Sequence, residues 1–386
     1  MKIIKLSRLS AAIVLSLASI LAINMPLAKA AGTNNWTGLA NNGSWITSIG
    51  NWSGGIPSNG QDLKFNNASW GTTAISDDIP GLEVNSLTFS NNSNTPANIS
   101  LADDLTVDTA ITQDSTASTT VDTIAGPAHT ITLGGDVTVT VNGGLILGAA
   151  GDTIDLNGHT LTFVSDPSVT SNSLQVLANI TGSGSVVYNS AKTTYAIAGN
   201  NTYSGTTHVI ASDGPVIDSG NSAFGSSAIT VETGSSIKFD ESANTTINNT
   251  ITVTGSGTPV TSIQFANSGN THITTTVPHI VLNGNTKFAN ITSPTSNLTV
   301  NLSGITINGH CLLYMNAANS DSQTPQAAGF TGGPTSCNAA AATTKIGAPN
   351  TGLAAITARP LPVLMISAAA AMTLLIAARR VKFAKR

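Results

Sequence analysis

Val137-Thr138-Val139-Thr140-Val141-Asn142-Gly143-Gly144-Leu145-Ile146-Leu147-Gly148 decides the fold class of this chain. Its first five residues alternate strictly. Valines fall on one face and threonines on the other, the pattern of a half-buried strand. Asn142-Gly143 reads as a turn, Leu145 to Leu147 as a more fully buried strand, and Gly148 as its end. The theme recurs in Ile154-Asp155-Leu156-Asn157-Gly158 and in Thr160-Leu161-Thr162-Phe163-Val164. Further strands are expected at 86–89, 105–107, 185–188, 229–231, 237–239, 251–253, 262–265 and 298–302. Many short strands broken by Asn, Gly, Asp or Ser point to an all-β sandwich, barrel or solenoid.

Internal echoes favour the β-solenoid. Ile154-Asp155-Leu156-Asn157-Gly158-His159 is similar to Ile280-Val281-Leu282-Asn283-Gly284-Asn285 and to Ile305-Thr306-Ile307-Asn308-Gly309-His310, and the last two lie 25 residues apart. That is a plausible length for one coil, and self-similarity at this period marks stacked repeats. A single coil cannot bury its own apolar face, so coils stack over a shared core. Asparagines at equivalent turns can then bond from coil to coil. A β-sandwich with chance similarity between its turns is the alternative.

Gly199-Asn200-Asn201-Thr202-Tyr203-Ser204-Gly205-Thr206-Thr207 carries a family resemblance. Its core, Asn201, Thr202, Tyr203, Ser204 and Gly205, resembles the signature of autotransporter-associated β-strand repeats. Ala223 to Val231 and Gly234 to Phe239 resemble the segments that follow it in that family. Trp36, Trp45, the run Asn51 to Pro57, and Asp62 to Phe65 resemble the opening of such passenger domains. The resemblance implies a right-handed parallel β-helix displayed on a cell surface. No outer-membrane barrel closes the chain; an anchor-like segment stands there instead.

Composition agrees with this reading. Between residues 31 and 358 the basic residues are Lys64, Lys192, Lys238, Lys287 and Lys345, against all 19 acidic residues, so the formal charge is 5 − 19 = −14. Nucleic-acid binding needs clustered Lys and Arg and is excluded as a function class. Abundant Thr, Ser, Asn and Gly disfavour long surface helices and suit strands joined by turns. Recurrent Val, Ile and Leu supply the apolar surface that disordered chains lack.

The two ends point to export and anchoring. Lys2, Lys5 and Arg8, the apolar run from Ala11 to Leu21, and Ala28-Lys29-Ala30 form a signal-peptide pattern with cleavage at Ala28 and Ala30. An N-terminal membrane anchor is the alternative. At the other end, Ala348-Pro349-Asn350-Thr351-Gly352 precedes an uncharged stretch from Leu361 to Ala378 and a basic tail of Arg379, Arg380, Lys382, Lys385 and Arg386. Such a stretch suffices for a marginal membrane span, with the basic tail held in the cytoplasm. The order resembles the Leu-Pro-x-Thr-Gly sorting signal of sortase-anchored wall proteins, although Ala348 departs from its first position. The resemblance implies cleavage after Thr351 by a sortase-like transpeptidase. A plain membrane anchor is the alternative.

These readings divide the chain into a signal peptide (1–30), an N-terminal cap (31–80), solenoid repeats (81–310), a C-terminal cap (311–338), a linker with the sorting-like motif (339–359), a transmembrane helix (360–378) and a cytoplasmic tail (379–386). Cys311 and Cys337 are expected to staple the second cap in an oxidising compartment. Such a bridge contributes about 3 to 4 kcal/mol in the chain-entropy model; two free thiols are the alternative. Trp36, Trp45, Trp52 and Trp70 read as the first cap's core, or alternatively as a carbohydrate-stacking surface.

No catalytic set emerges. Histidines 129, 159, 208, 272, 279 and 310 lack metalloprotease spacing. Asp77-Asp78 and Asp103-Asp104 are the acidic doublets. Adjacent strand residues point to opposite faces, so a doublet does not make the paired carboxylates of a glycosidase; solvation or weak Ca²⁺ binding is the expected role. No cofactor or metal site is expected. The preferred reading is a non-catalytic, anchored surface protein, adhesin-like or structural, facing a host or neighbour-cell glycan or protein. The alternatives are a polysaccharide-acting β-helix enzyme, which would bring Asp103, Asp104, Asp155 and Lys238 into one groove, and a carbohydrate-binding module.

Overall fold

The computed structural model describes residues 32–47, 49–66, 75–90, 96–114, 121–165, 173–189, 194–210, 216–218, 222–254, 261–269, 271–291, 298–315, 325 and 328–334. All belong to one compact unit, Met1–Ala341. The signal-peptide segment, Trp70, Cys337 and everything from the sorting-like motif to the basic tail lie outside the described residues. So does the apolar stretch from Leu361 to Ala378. No helix among the described residues is long and apolar enough to cross a membrane.

The unit is an all-β solenoid. A 15-stranded sheet runs through Thr33–Trp36, Asp62–Phe65, Leu82–Phe89, Leu105–Gln113, Val137–Val141 and Thr160–Ser165. It continues through Ser185–Asn189, Thr206–Ile210, Ala228–Val231, Ile251–Thr254, Ile280–Asn283 and Ile305–Thr306. An 11-stranded sheet faces it, and a 4-stranded sheet joins toward the C-terminal end. Neighbouring strands pair in parallel, each with the next coil rather than with its sequence neighbour. The register fixes the coil length: Tyr188 lies opposite Val209, 21 residues on, and Val253 lies opposite Leu282, 29 residues on.

Alternation becomes burial directly. In the strand Val137–Val141, the three valines are buried, while Thr138 and Thr140 face outward. Val139, Phe163, Tyr188, Val209, Val231, Val253 and Leu282 stack in register through consecutive coils, each completely inaccessible. Aromatic rings follow the same lanes. Phe65 stacks on Phe89 and Phe163 on Tyr188, both with centroids 5.4 Å apart, and Phe239 stacks on Phe265 at 5.7 Å. Every buried Val, Leu, Ile or Phe side chain contributes about 1.5–3 kcal/mol relative to exposure, so this interior dominates the stability.

The 25-residue echo is one coil. Ile280 pairs with Ile305 and Val281 with Thr306. The asparagine ladder is present as well: Asn308 Nδ2 donates to Asn283 Oδ1 at 2.8 Å. At two of the three echoes the backbone is also alike, since Asn157-Gly158 and Asn308-Gly309 both take positive φ. At the middle echo, Gly284 is instead buried and the strand Thr286–Asn290 starts almost at once.

At the N-terminal end, the strands Thr33–Trp36 and Asp62–Phe65 belong to the first sheet, and Ile75–Asp77 begins the second. The segment between them folds over both exposed edges. Trp36 bridges Trp52, with Thr37 N–H donating to Asn51 and Ser53 N–H donating to Asn35. Ser44 bridges Ser76, with Trp45 N–H donating to Ser76 and Ser76 N–H to Gly43. Trp36, Trp45 and Trp52 are buried and meet edge to face at 5.1–5.4 Å beside Phe65. They present no face on which a sugar could stack. At the other end, Leu312–Met315 pairs with Thr286–Asn290, and Phe330–Gly332 with Leu298–Leu302, so these residues extend the sheets by a further coil.

Corners are tight where glycines stack. A Cβ on Gly184 would overlap the carbonyl of His159, and one on Gly205 would overlap the carbonyl of Gly184. Both obstacles are backbone atoms, which cannot swing aside. Gly205→Ala is therefore expected to destabilise the fold by about 1–3 kcal/mol, as overpacking does. Equilibrium denaturation of the variant against the parent checks this; an unchanged midpoint would show that the corner has slack.

Candidate functional site

The signature Asn201, Thr202, Tyr203, Ser204 and Gly205 forms a junction between three coils, with Asn201 and Tyr203 buried and Thr202 and Ser204 exposed. Asn201 Oδ1 accepts the N–H of Ile180 from the coil on one side, and its Nδ2 donates to the carbonyl of Ala223 on the other. Thr202 N–H donates to Ile180 and Ser204 N–H to Gly182. Tyr203 is fully buried, and its hydroxyl starts a chain: Tyr203 to Thr207 at 2.6 Å, Thr207 to Ser227 at 2.6 Å, then Ser227 to the Phe224 carbonyl at 2.8 Å. Each residue type meets a local need. A short amide can satisfy one donor and one acceptor at once, a tyrosine fills volume while its hydroxyl finds a partner, and Gly205 admits the neighbouring carbonyl. Asn201, Tyr203 and Gly205 thus fill structural roles, while the side chains of Thr202 and Ser204 face solvent.

The ionisable groups weighed for catalysis do not converge. Asp104 accepts the Thr130 N–H at 2.8 Å and lies 3.5 Å from His129. Asp155 lies in the strand Thr153–Asp155 of the first sheet and accepts the Asn157 N–H at 2.9 Å. Lys238 sits on the second sheet, in Ser236–Glu241, and pairs with Asp240 at 2.7 Å. Asp78 turns onto the N-terminal segment, where it accepts from Ser44 Oγ, Trp45 N–H and Ile46 N–H. Among the described residues, no three His, Cys, Asp or Glu side chains are placed to hold a metal ion together.

The same local device repeats outside the core. Asp136 accepts the Thr160 N–H at 2.8 Å and lies 3.9 Å from His159, as Asp104 does with Thr130 and His129. His208 and Glu232 approach to 2.8 Å. An acceptor at the start of a strand thus ties to the coil above. The equivalent contacts Asp62 to Ser86 and Ser185 to Thr206 use hydroxyl partners or an N–H.

Two buried acids have strongly raised pKa values. Asp77, one half of the Asp77-Asp78 doublet, and Glu241 are inaccessible, as are Asp122 and Asp152. Burial pushes the Asp77 carboxyl up to about 7; the Ile79 N–H opposes this, while Asp103 and Asp78 add to it. Burial likewise raises Glu241 to about 7, against the Thr245 hydroxyl and with help from Asp240. Neither acid opens onto solvent, which separates them from a working acid–base pair. The signal that finds them is an acidic residue at an inward position of the alternating pattern: Asp77 follows Ile75 and Glu241 follows Phe239 at spacing two.

The outward face of the first sheet is the most regular surface. Ser86, Ala110, Thr138, Thr162, Val187, His208, Thr230, Thr252 and Val281 follow one another in register. Lys64, Thr88, Thr112 and Thr140 form a parallel row. Short hydroxyl side chains thus recur along the face, at a coil spacing of about 4.8 Å, interrupted by Ala110, Val187, His208 and Val281.

Comparison with protein-family models, curated proteins and solved structures gives no match.

Two outcomes are expected. Asn201→Ala strands the Ile180 N–H and the Ala223 carbonyl, and should cost about 1–3 kcal/mol or more, read by denaturation. For the buried acids, the folded pKa lies above the unfolded one, so the stability they allow is complete at low pH. It is lost as pH rises from about 4 through 7. The melting temperature of the parent should fall over that window, and Asp77→Asn with Glu241→Gln should flatten the fall. An identical pH profile in the double variant would refute the assignment.

Proposed function

We propose that this chain is a non-catalytic cell-surface protein, adhesin-like or structural, displayed as an anchored β-solenoid. The observation that carries the reading is the long in-register outer face of the first sheet, where Ser86, Thr138, Thr162, Thr230 and Thr252 recur among Ala110, Val187, His208 and Val281. A regular face of hydroxyl and small apolar groups suits contact with an extended partner such as a glycan or protein of a host or neighbouring cell. The right-handed winding implied by the resemblance fits the near-universal hand of parallel crossovers.

In this reading, residues 1–30 are a signal peptide removed after Ala30, and the Cys311–Cys337 pair closes the last coil as a disulfide. The segment 360–378 then holds the C-terminus in the membrane until a sortase-like transpeptidase cuts between Thr351 and Gly352. The acidic exported region, free of Arg, suits a solvated extracellular surface.

Mass spectrometry of C-terminal peptides from cell envelopes tests the anchor. A covalently modified peptide ending at Thr351 is expected, whereas an intact tail through Arg386 would replace sorting with a plain membrane anchor. Incubating the purified exported protein with polysaccharides tests the function class, and any specific chain cleavage would overturn the non-catalytic reading.

A further inference from the structure

Four of the five exposed large apolar side chains among the described residues sit in one place. Leu39 is 82% exposed, Ile49 72%, and Ile46 and Ile56 40% each. All belong to the segment that closes the N-terminal edges of the two sheets. Asn51 ties this layer together: its side chain accepts the Ala40 N–H and donates to Asn42 and to the Ser44 carbonyl, which draws the Leu39–Asn42 turn beside the turn of Ile49–Asn51. The layer is the terminal surface of the stack, since nothing described pairs beyond it. A terminal layer that only needed to end a solenoid would carry a polar outer face.

Charge says what this face can meet. Residues 32–61 contain no Asp, Glu, Lys or Arg, within an exported region of formal charge −14. The carboxylate that reaches the layer, Asp78, is directed onto Ser44, Trp45 and Ile46. Two copies approaching by their flanks bring acidic surfaces together. Two copies approaching end to end bring together uncharged, apolar ones.

We infer that the N-terminal end is a self-association surface: two copies meet cap to cap, with Leu39 and Ile49 of each buried against the other about a two-fold axis. Such a contact is isologous, so each patch is its own complement. The end of a single coil is smaller than a standard interface of about 1,600 Å², which makes the contact a weak, transient one. Arrays of copies on a surface multiply so weak a contact through avidity. The association does not depend on how the C-terminus is anchored. The cap lies about 50 Å from the far end of the 11-stranded sheet, at a rise of about 4.8 Å per coil.

Sedimentation velocity of the full chain, in mild detergent to keep the C-terminal apolar run dispersed, tests this. The parent should show a concentration-dependent monomer–dimer equilibrium. Leu39→Asp with Ile49→Asp should abolish it, and so should Leu39→Lys with Ile49→Lys, with melting temperatures unchanged because both sites are solvent-exposed. Mixing the Asp and Lys variants should restore dimers, which misfolded variants could not do. A parent that stays monomeric at high concentration, because the patch is covered by the chain's own leader or reserved for another protein, would overturn the inference. So would dimers that persist in both variants, or a mixture that fails to associate.

Discussion

Every described strand depends on hydrogen bonds to a residue one coil away, 21 to 30 positions along the chain. That one constraint orders the rest. Parallel pairing in fixed register puts inward positions of successive coils directly above one another, so an apolar residue at one level requires a compatible one at the next. Stacks such as Val209, Val231 and Val253 follow from it. A single coil has neither a complete set of backbone partners nor a buried face, and stability accrues only from neighbours.

The same constraint explains the buried polar residues. Where the chain turns a corner, the ladder breaks and leaves N–H and carbonyl groups without a strand partner. Side chains take over. Asn201 serves both neighbours of its coil. Asp152 accepts from Gly126, Ala149 and His129, and Asp122 accepts from Ala97 and from Gln113. Asp78 and Asp104, which the sequence singled out as parts of acidic doublets, likewise accept backbone N–H groups in the folded chain.

The ends are where the solenoid has to be resolved. Open parallel edges would template further strands. At the N-terminus, a loop spanning Thr37 to Ile56 covers both edges and packs three tryptophans beneath itself. The covering layer exchanges backbone polarity for side-chain apolarity: hydrogen-bonding groups turn inward, and isoleucine and leucine turn out. An uncharged apolar tip on an acidic rod is the electrostatic counterpart of that arrangement.

Much of this was legible in the sequence. Strict alternation at 137–141 and 160–164 fixed strand faces, because the side-chain period of two permits one buried side. The 25-residue echo at 280 and 305 marked the length of one coil, since Ile280 pairs with Ile305, although the turns that follow the two segments differ. Composition fixed the formal charge of residues 31–358. The sequence did not disclose short strands such as Val121–Ala125, Thr194–Ile197 and Val216–Asp218. Three to five residues with polar members carry too little periodicity, and their pairing is set by partners far along the chain. Nor could it bury Asn201 and Tyr203 while exposing Thr202 and Ser204, separate Asp155 from Lys238 onto different sheets, or show that Trp36, Trp45 and Trp52 are buried while Leu39 and Ile49 are not. Local pattern determines which way a side chain points from its own strand. Only the stacking of distant coils decides what lies opposite it, and therefore whether it meets core, backbone or water.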